Sequence, residues 1–181
     1  MPVLLIIDML NSFLAAWEPA RRRELIAATN LLARHFRSRN WPVIWVRQAF
    51  KSDLSDAFLE MRDIYISINI EGTYEAKIAD DLDWKTVDIV IVKKRYSPFF
   101  GTNLDVILHE LSASELFLSG INTHACVRMA AIAAYQRDYR VTLVDETVDS
   151  YDLEHAAITL RYLDGKIRRI VSLAKILANG Q

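Results

Sequence analysis

Six short apolar runs punctuate the chain, and stretches with helical spacing separate several of them. The runs are Val3–Ile7, Val43–Val46, Val87–Val92, Leu116–Leu118, Val141–Val144 and Ile167–Val171. Most are rich in β-branched residues and nearly continuous rather than alternating, which is typical of strands covered on both faces. The pattern predicts the buried strands of a mainly parallel sheet.

Helical patterns lie between these runs. Leu25, Leu32 and Phe36 share one stripe of a predicted helix over residues 21–39. Asp152 precedes another apolar helical pattern and is a candidate N-cap. Because strands and helices alternate, the sequence predicts an α/β fold.

Composition fits one ordinary globular domain over residues 1–181, with 52% hydrophobic and 25% charged residues. This apolar content excludes a disordered chain. The net charge of −1 provides no field to attract nucleic acid or an anionic membrane, and no apolar run approaches membrane-spanning length. We therefore expect neither partner, and we interpret the arginines at 21–23 as a solvated helix face, balanced by Glu18 and Glu24.

The chain has a single cysteine, Cys126. A lone cysteine forms no internal disulfide and makes no cysteine-based zinc site. The N-terminus shows no basic lead and no cleavage-site pattern. These features together predict a cytoplasmic location, where thiols stay reduced.

Reactive side chains follow several predicted strands. Asp8 follows the first strand, Lys93 ends the third, and Cys126 comes shortly after the fourth. Ligands of open α/β sheets bind outside the carboxyl ends of the strands, so we expect these three side chains at one rim. Asp145 and Glu146 follow the fifth apolar run and are expected at the same rim.

Together the three residue types suit covalent acyl transfer. Backbone N–H groups at a helix start favour a cysteine thiolate, a lysine favours it further, and an aspartate can accept the thiol proton. Each residue also has a structural interpretation: Cys126 as a small buried side chain, Asp8 as a turn residue and Lys93 as a solvated strand end. Their coincidence at three strand ends is what favours a site.

Three segments carry a resemblance to a known family: Leu4–Phe13, Lys93–Leu104 and Gly120–Val127. The first is similar to the opening strand and Asp-Met-Gln-Asn-x-Phe motif of the isochorismatase-like cysteine hydrolases. That family includes nicotinamidases and N-carbamoylsarcosine amidohydrolase. The second segment resembles its Lys-x-Arg-Tyr-Ser-Ala-Phe-x-x-Thr-x-Leu motif, and the third its Gly-Val-x-Thr-x-x-Cys-Val motif.

The resemblance implies a six-stranded parallel sheet with helices on both faces, a Rossmann-like fold that assembles as a homo-oligomer, either a dimer or a tetramer. It implies a catalytic triad of Asp8, Lys93 and Cys126. It also implies a cis peptide bond between Ile121 and Asn122. The expected purpose of that bond is to aim the N–H groups of Asn122 and Cys126 at one oxyanion.

Other residues near these motifs are candidates for the substrate pocket. The aromatic candidates are Phe13, Trp17, Tyr96, Phe99 and Phe100, which could equally be ordinary core. Strand alternation sends Lys94 away from the site, to solvent. Arg47 is interpreted as a surface residue, with a substrate carboxylate as the alternative, and His124 could touch substrate. Residues 48–83 match no motif and are expected to form a short helix and a loop near the active face.

Metal chemistry is not predicted. Nicotinamidases carry an Asp-x-His…His metal cluster after the second strand, whereas residues 46–53 here contain no histidine. We therefore expect no catalytic metal and no cofactor, and the sequence argues against nicotinamidase activity. Cys126 favours thiol chemistry over vinyl-ether hydrolysis, because members closer to isochorismatase itself often lack this cysteine.

The sequence thus predicts a metal-independent cysteine hydrolase that cleaves the C–N bond of a small amide or carbamoyl compound through a thioester. One alternative is an isochorismatase-type vinyl-ether hydrolase that uses Asp8 as an acid. Another is a non-enzymatic nucleotide-binding module, which is disfavoured because no glycine-rich phosphate loop follows the first strand.

Overall fold

A computed structural model describes residues 1–167 and 169–178 of the chain. The strands are β1 (Pro2–Ile7), β2 (Val43–Gln48), β3 (Ile89–Lys93), β4 (Glu115–Gly120), β5 (Arg140–Val148) and β6 (Arg169–Val171). The helices are α1 (Asn11–Leu14), α2 (Pro19–Ser38), α3 (Leu59–Asp63), α4 (Leu104–Glu110), α5 (Arg128–Tyr135), α6 (Leu153–Leu163) and α7 (Leu173–Ala178). A π-helical turn over Thr123–Val127 leads into α5.

The six strands form one parallel sheet in the order β3-β2-β1-β4-β5-β6. This confirms the predicted six-stranded parallel sheet. The strand order reverses between β1 and β4, and the carboxyl ends at such a switch point leave room for a ligand. Segments that follow β1 and β4 therefore lie side by side at the open edge.

Alternating side chains of the strands bury both faces of the sheet. Val3, Leu5 and Ile7 of β1 pack in a core cluster with residues of α4, α5 and α6. Leu4 and Ile6 pack in a second cluster with residues of α2 and α7. This confirms helices on both faces, because a strand with two buried faces needs a cover on each side.

Helix starts follow the capping chemistry in the sequence. The Glu18 side chain accepts from the N–H groups of Ala20 and Arg21, with Pro19 as the first residue of α2. Asp152 accepts from the His155 N–H at 2.9 Å, which confirms the predicted N-cap of α6. In the part of the chain that the structure describes, no helix is both long and apolar enough to cross a membrane.

The arginine cluster at the start of α2 is not simply a solvated face. The guanidinium of Arg21 binds both carboxylate oxygens of Asp149 and the carbonyl oxygen of Ser150, and it lies 4.7 Å from the Trp17 ring centroid. Arg22 pairs with Asp81 at 3.2 Å. The prediction of a solvated face is wrong for Arg21, because α2 packs beside the segment that follows β5. Arg22 instead pairs with an exposed carboxylate of the segment before β3.

The long segment between β2 and β3 contains the predicted short helix, α3. None of the residues of α3 is buried. A small apolar cluster of Phe50, Leu54 and Ala57 precedes the helix, and Phe58 and Met61 pack against this cluster. The cluster therefore holds α3 on the protein without burying it.

Candidate active site

Asp8 lies directly after the central strand β1, at the open edge of the sheet. Its N–H donates to the Val46 carbonyl at 2.8 Å, which continues the pairing with β2. Its φ of 55° is in the left-handed region, which is uncommon for a residue with a side chain. Such conformations cluster at functional sites, because the surrounding structure must hold them.

Lys93 ends the edge strand β3, and its side chain is fully buried. Its Nζ lies 2.7 Å from Asp8 Oδ2 and 3.3 Å from Cys126 Sγ, and it donates to the Arg95 carbonyl at 3.0 Å. A lysine ammonium carries three N–H donors, so these three neighbours satisfy it. Lys93 thus joins the two other predicted triad members.

Cys126 lies in the π-helical turn after β4. The close approach of β4 to β1 just before this turn depends on Gly120. A Cβ atom on Gly120 would lie 2.1 Å from the Ile7 carbonyl oxygen, so only glycine fits there. The following peptide bond, between Ile121 and Asn122, is cis. The close approach of β4 to β1 brings Cys126 within reach of Asp8 and Lys93.

Burial and charge set the protonation state of the cluster. Burial raises the pKa of Cys126 to about 12, with the Asp8 carboxylate also raising it and the Lys93 ammonium opposing. Burial alone would lower the pKa of Lys93, but the charges of Asp8 and Cys126 outweigh it and raise that pKa. Near neutral pH the cluster therefore holds a neutral thiol and a charged ammonium.

Asp8 retains free acceptor capacity. Apart from the Lys93 ion pair, neither carboxylate oxygen has a hydrogen-bond partner among the described residues. Buried polar atoms are nearly always paired, so an exception next to a thiol is chemically significant. The arrangement can accept the proton of Cys126.

A cavity of about 780 Å³ opens beside Asp8 and Cys126. Three of the residues predicted for the pocket, Phe13, Tyr96 and Asn122, line this cavity. Phe58 and Met61 also line it, which places the segment before and within α3 at the active face, as predicted. The cavity is large enough for a small molecule.

Two predicted pocket residues belong to the core instead. Phe99 is 5% exposed and packs in the apolar cluster with α4 and α5, with the Arg137 guanidinium 4.5 Å from its ring centroid. The turn after β3 directs it toward α4 rather than toward the cavity, so its prediction as a pocket residue is wrong. The Ile121 side chain is fully buried in the other core cluster, and only its peptide bond belongs to the site.

Trp17 and Phe100 also lie outside the wall of the cavity. Trp17 stacks with Arg21, and the Phe100 side chain is exposed at the surface. Lys94 lies away from the cluster, as alternation predicts, but it is not free in solvent. Its Nζ lies 2.9 Å from Asp56 Oδ2.

Acidic residues of β5 were expected at the site and are not there. β5 continues to Val148, past a register shift against β4, so Asp145 and Glu146 lie within the strand. Glu146 accepts from the Leu173 N–H at 2.7 Å, at the start of α7. The rim residues after β5 are instead those from Asp149 onward.

His124 lies at the cavity beside Cys126, whereas Arg47 does not. His124 lines the cavity, its Nδ1 is hydrogen-bonded to Ser150 Oγ, and burial lowers its pKa, which favours the neutral ring. Arg47 lines a separate groove, donates to the Ala76 carbonyl at 3.4 Å and lies 3.6 Å from Glu71 Oε1. Contact with substrate is therefore open to His124 and not to Arg47.

Sequence reasoning missed several cavity residues. Gln48, which is 6% exposed, ends β2 and would have followed from the strand-end rule. Arg128, Met129 and Ile132 line the cavity from one side of the helix after Cys126. Their spacing of one, three and four residues marks a helical face that the alanine-rich pattern concealed.

The expectation that the site uses no catalytic metal stays a prediction. Among residues 1–167 and 169–178, no three histidine, cysteine, aspartate or glutamate side chains lie together in a way that could hold a metal ion.

The fold and the site define a class of protein. It is a doubly wound α/β protein with a buried cysteine, lysine and aspartate at the switch point of its sheet. Residues 2–175 match the sequence profile of the isochorismatase domain. The chain belongs to the isochorismatase family, which confirms the resemblance found in the sequence.

Individual relatives agree with this assignment. An isochorismatase family protein from Desulfovibrio vulgaris subsp. vulgaris str. Hildenborough is 27% identical, with a TM-score of 0.89 over 98% of both chains. N-carbamoylsarcosine amidase from Thermoplasma acidophilum is 25% identical, with a TM-score of 0.79 over 95% of this chain and 96% of that one. Enterobactin synthase component B from Escherichia coli strain K12 is 26% identical over 176 residues, which are 96% of this chain. The chain spans 61% of the length of that relative.

Proposed function

We propose that this chain is a metal-independent cysteine hydrolase that cleaves the C–N bond of a small amide or carbamoyl compound. The observation that carries the proposal is the continuous contact of Asp8, Lys93 and Cys126 beside a cavity of about 780 Å³. The similarity to N-carbamoylsarcosine amidase supports the choice of bond.

In the first half of the reaction, Cys126 Sγ attacks the carbonyl carbon while Asp8 takes the thiol proton. The thiol requires this transfer, because its pKa is raised to about 12. The oxyanion accepts hydrogen bonds from the N–H groups of Asn122 and Cys126, which lie at the helix start where such groups lack intrahelical acceptors. The C–N bond then breaks, and the nitrogen leaves as ammonia or an amine with the proton from Asp8.

In the second half, a water molecule replaces the departed amine. Asp8 takes a proton from this water, and the resulting hydroxide attacks the thioester carbon. The sulfur leaves and regains its proton from Asp8, which releases the acid product and restores the resting enzyme. Lys93 keeps its charge throughout and stabilises the anionic forms of the two other residues.

Ammonia release from a panel of small amides, ureas and carbamoyl acids tests this proposal. We expect Cys126→Ala to abolish release and to leave the circular dichroism spectrum unchanged. Lys94→Met is the matched control and should retain activity, because Lys94 pairs with Asp56 outside the cluster. Substantial release by the alanine variant would exclude a thioester route, and activity lost to a chelator and restored by zinc would exclude a metal-free one.

A second candidate is hydrolysis of a vinyl ether with Asp8 as the acid. It is favoured by the similarity to the isochorismatase of Bacillus subtilis, which is 30% identical over 166 residues, 91% of this chain and 53% of that protein. This chemistry needs no covalent bond to sulfur. Turnover of isochorismate that survives Cys126→Ala would favour it, whereas a substrate adduct on Cys126 in the mass spectrum would favour the amidase.

Three further expectations accompany the proposal. We propose that residues 1–181 act as one hydrolase domain on a small-molecule substrate. The cytoplasmic location stays a prediction, as does the assembly into a dimer or tetramer. Light scattering of the purified chain measures the subunit number directly.

A further inference from the structure

Arg128 is a cation in the active-site cavity that has no acidic partner. It follows the π-helical turn, is half-buried, and lines the same cavity as Cys126. Within the described part of the chain, its guanidinium makes no hydrogen bond and no ion pair. Its Cζ lies 5.4 Å from the ring centroid of Tyr162, so the aromatic ring supports the guanidinium from one side.

Two other partly buried arginines of this chain, Arg21 and Arg37, behave differently. Arg21 binds the carboxylate of Asp149, and Arg37 binds that of Asp88. Arg128 retains the full set of donors that an arginine offers to a planar anion. The difference indicates a guanidinium held available for a ligand.

Charges around Arg128 favour an anionic ligand there. The Lys166 ammonium lies 5.6 Å from the centroid of the same Tyr162 ring, so a second cation flanks the ring that supports Arg128. The acidic residues among the described cavity walls are Asp8, which Lys93 neutralises, and Glu60, which is exposed on α3 and forms no ion pair with Arg128. Neither carboxylate is therefore paired with the guanidinium of Arg128, which leaves its charge available to an anionic ligand.

We propose that Arg128 binds a carboxylate of the substrate, so that the substrate class is an amide or carbamoyl compound carrying an acid group. The amide part of this statement rests on the proposed function. The carboxylate part concerns binding alone and does not require turnover. A carboxylate can accept two parallel hydrogen bonds from one guanidinium, which orients the rest of the molecule toward Cys126.

Binding to the inactive Cys126→Ala chain tests the carboxylate separately from the chemistry. The probes are succinamate and glutaramate, each paired with its neutral methyl ester, and calorimetry gives the dissociation constants. We expect each acid to bind at least about tenfold more tightly than its ester, since charge-assisted hydrogen bonds are the strong ones. Adding Arg128→Gln should remove that preference. Adding Arg161→Gln, an exposed arginine on α6, is the matched control and should preserve it.

The outcomes separate the two proposals. If the acids bind no better than the esters, or if the preference survives Arg128→Gln, the role of Arg128 is wrong. If the preference follows Arg128 while the wild-type chain releases no ammonia from any amide, the amidase proposal fails and the anion site stands. In an active chain, Arg128→Gln should raise KM for the acids about tenfold with little change in kcat, as expected for loss of a binding contact.

Discussion

Replacing Lys93 with methionine tests whether a buried ion pair holds the site together. The side chains of Lys93 and Asp8 are 0% and 1% exposed, and Nζ lies 2.7 Å from Oδ2. At an effective dielectric constant of about 20, charges this close attract by about 6 kcal/mol before desolvation offsets part of it. Without the ammonium, a buried carboxylate loses its counter-charge. We therefore expect Lys93→Met to lower the free energy of unfolding by about 3–5 kcal/mol.

The double variant with Asp8→Asn measures the coupling. Asp8→Asn alone leaves Lys93 as a buried charge without its carboxylate, so it should also be costly. The double variant removes both charges, and its loss should be smaller than the sum of the two single losses by about 2 kcal/mol. Urea unfolding followed by circular dichroism gives all three values. If Lys93→Met alone does not fold, the test is whether adding Asp8→Asn restores a folded chain.

The neighbouring lysine provides the control. Lys94 lies 2.9 Å from Asp56 Oδ2, but these side chains are 29% and 21% exposed. Solvent screens such a pair, so Lys94→Met should cost no more than about 1 kcal/mol. Equal losses for the two lysine variants, or strictly additive single losses in the cycle, would refute the idea that burial makes the Lys93 pair critical.

Two further predictions concern pH and backbone packing. The folded pKa of Cys126 is raised to about 12 from an ordinary 9.0. The contribution of this thiol to the free energy of unfolding is therefore fully present below about pH 9 and is lost as the pH rises toward 12. Lys93, whose pKa is also raised, adds a further loss of stability at alkaline pH. Cys126→Ala should therefore reduce the loss of stability between pH 9 and 12, measured by thermal unfolding. An unchanged loss would contradict this. Gly120→Ala should destabilise more than Gly165→Ala, because a Cβ meets the Ile7 carbonyl at 2.1 Å in the first case and nothing within 4 Å in the second. The left-handed strain at Gly165 alone costs about 1–2 kcal/mol, so equal unfolding midpoints in urea would count against the clash.

The residues at strand ends could be predicted because parallel topology fixes where they lie. Apolar runs, most of them rich in β-branched residues, mark the strands, and the residue after a run is expected at the open edge. This logic alone predicts Asp8, Lys93 and Cys126 at one edge. It failed for Asp145 and Glu146, because polar residues in the second half of β5 hid the true end of that strand.

Side-chain direction beyond the strand ends could not be read from the sequence. Phe99 and Tyr96 lie in one motif, yet Tyr96 lines the cavity and Phe99 packs in the core. The turn after β3 decides between them, and no periodicity governs such a turn. Arg128 was missed for a related reason, since its place beside Tyr162 depends on how α5 and α6 pack together.

The position of Lys93 explains how one site holds a neutral nucleophile and a charged partner at the same time. Its ammonium lies against both a carboxylate oxygen and the sulfur, and burial raises the pKa of the Cys126 thiol to about 12. In the resting state the proton therefore stays on sulfur and the negative charge on Asp8. In the proposed reaction, attack on a carbonyl reverses this, since the proton moves to Asp8 while the charge moves toward the substrate oxygen. Lys93 contacts both residues throughout, so its own position does not have to change as the charge moves.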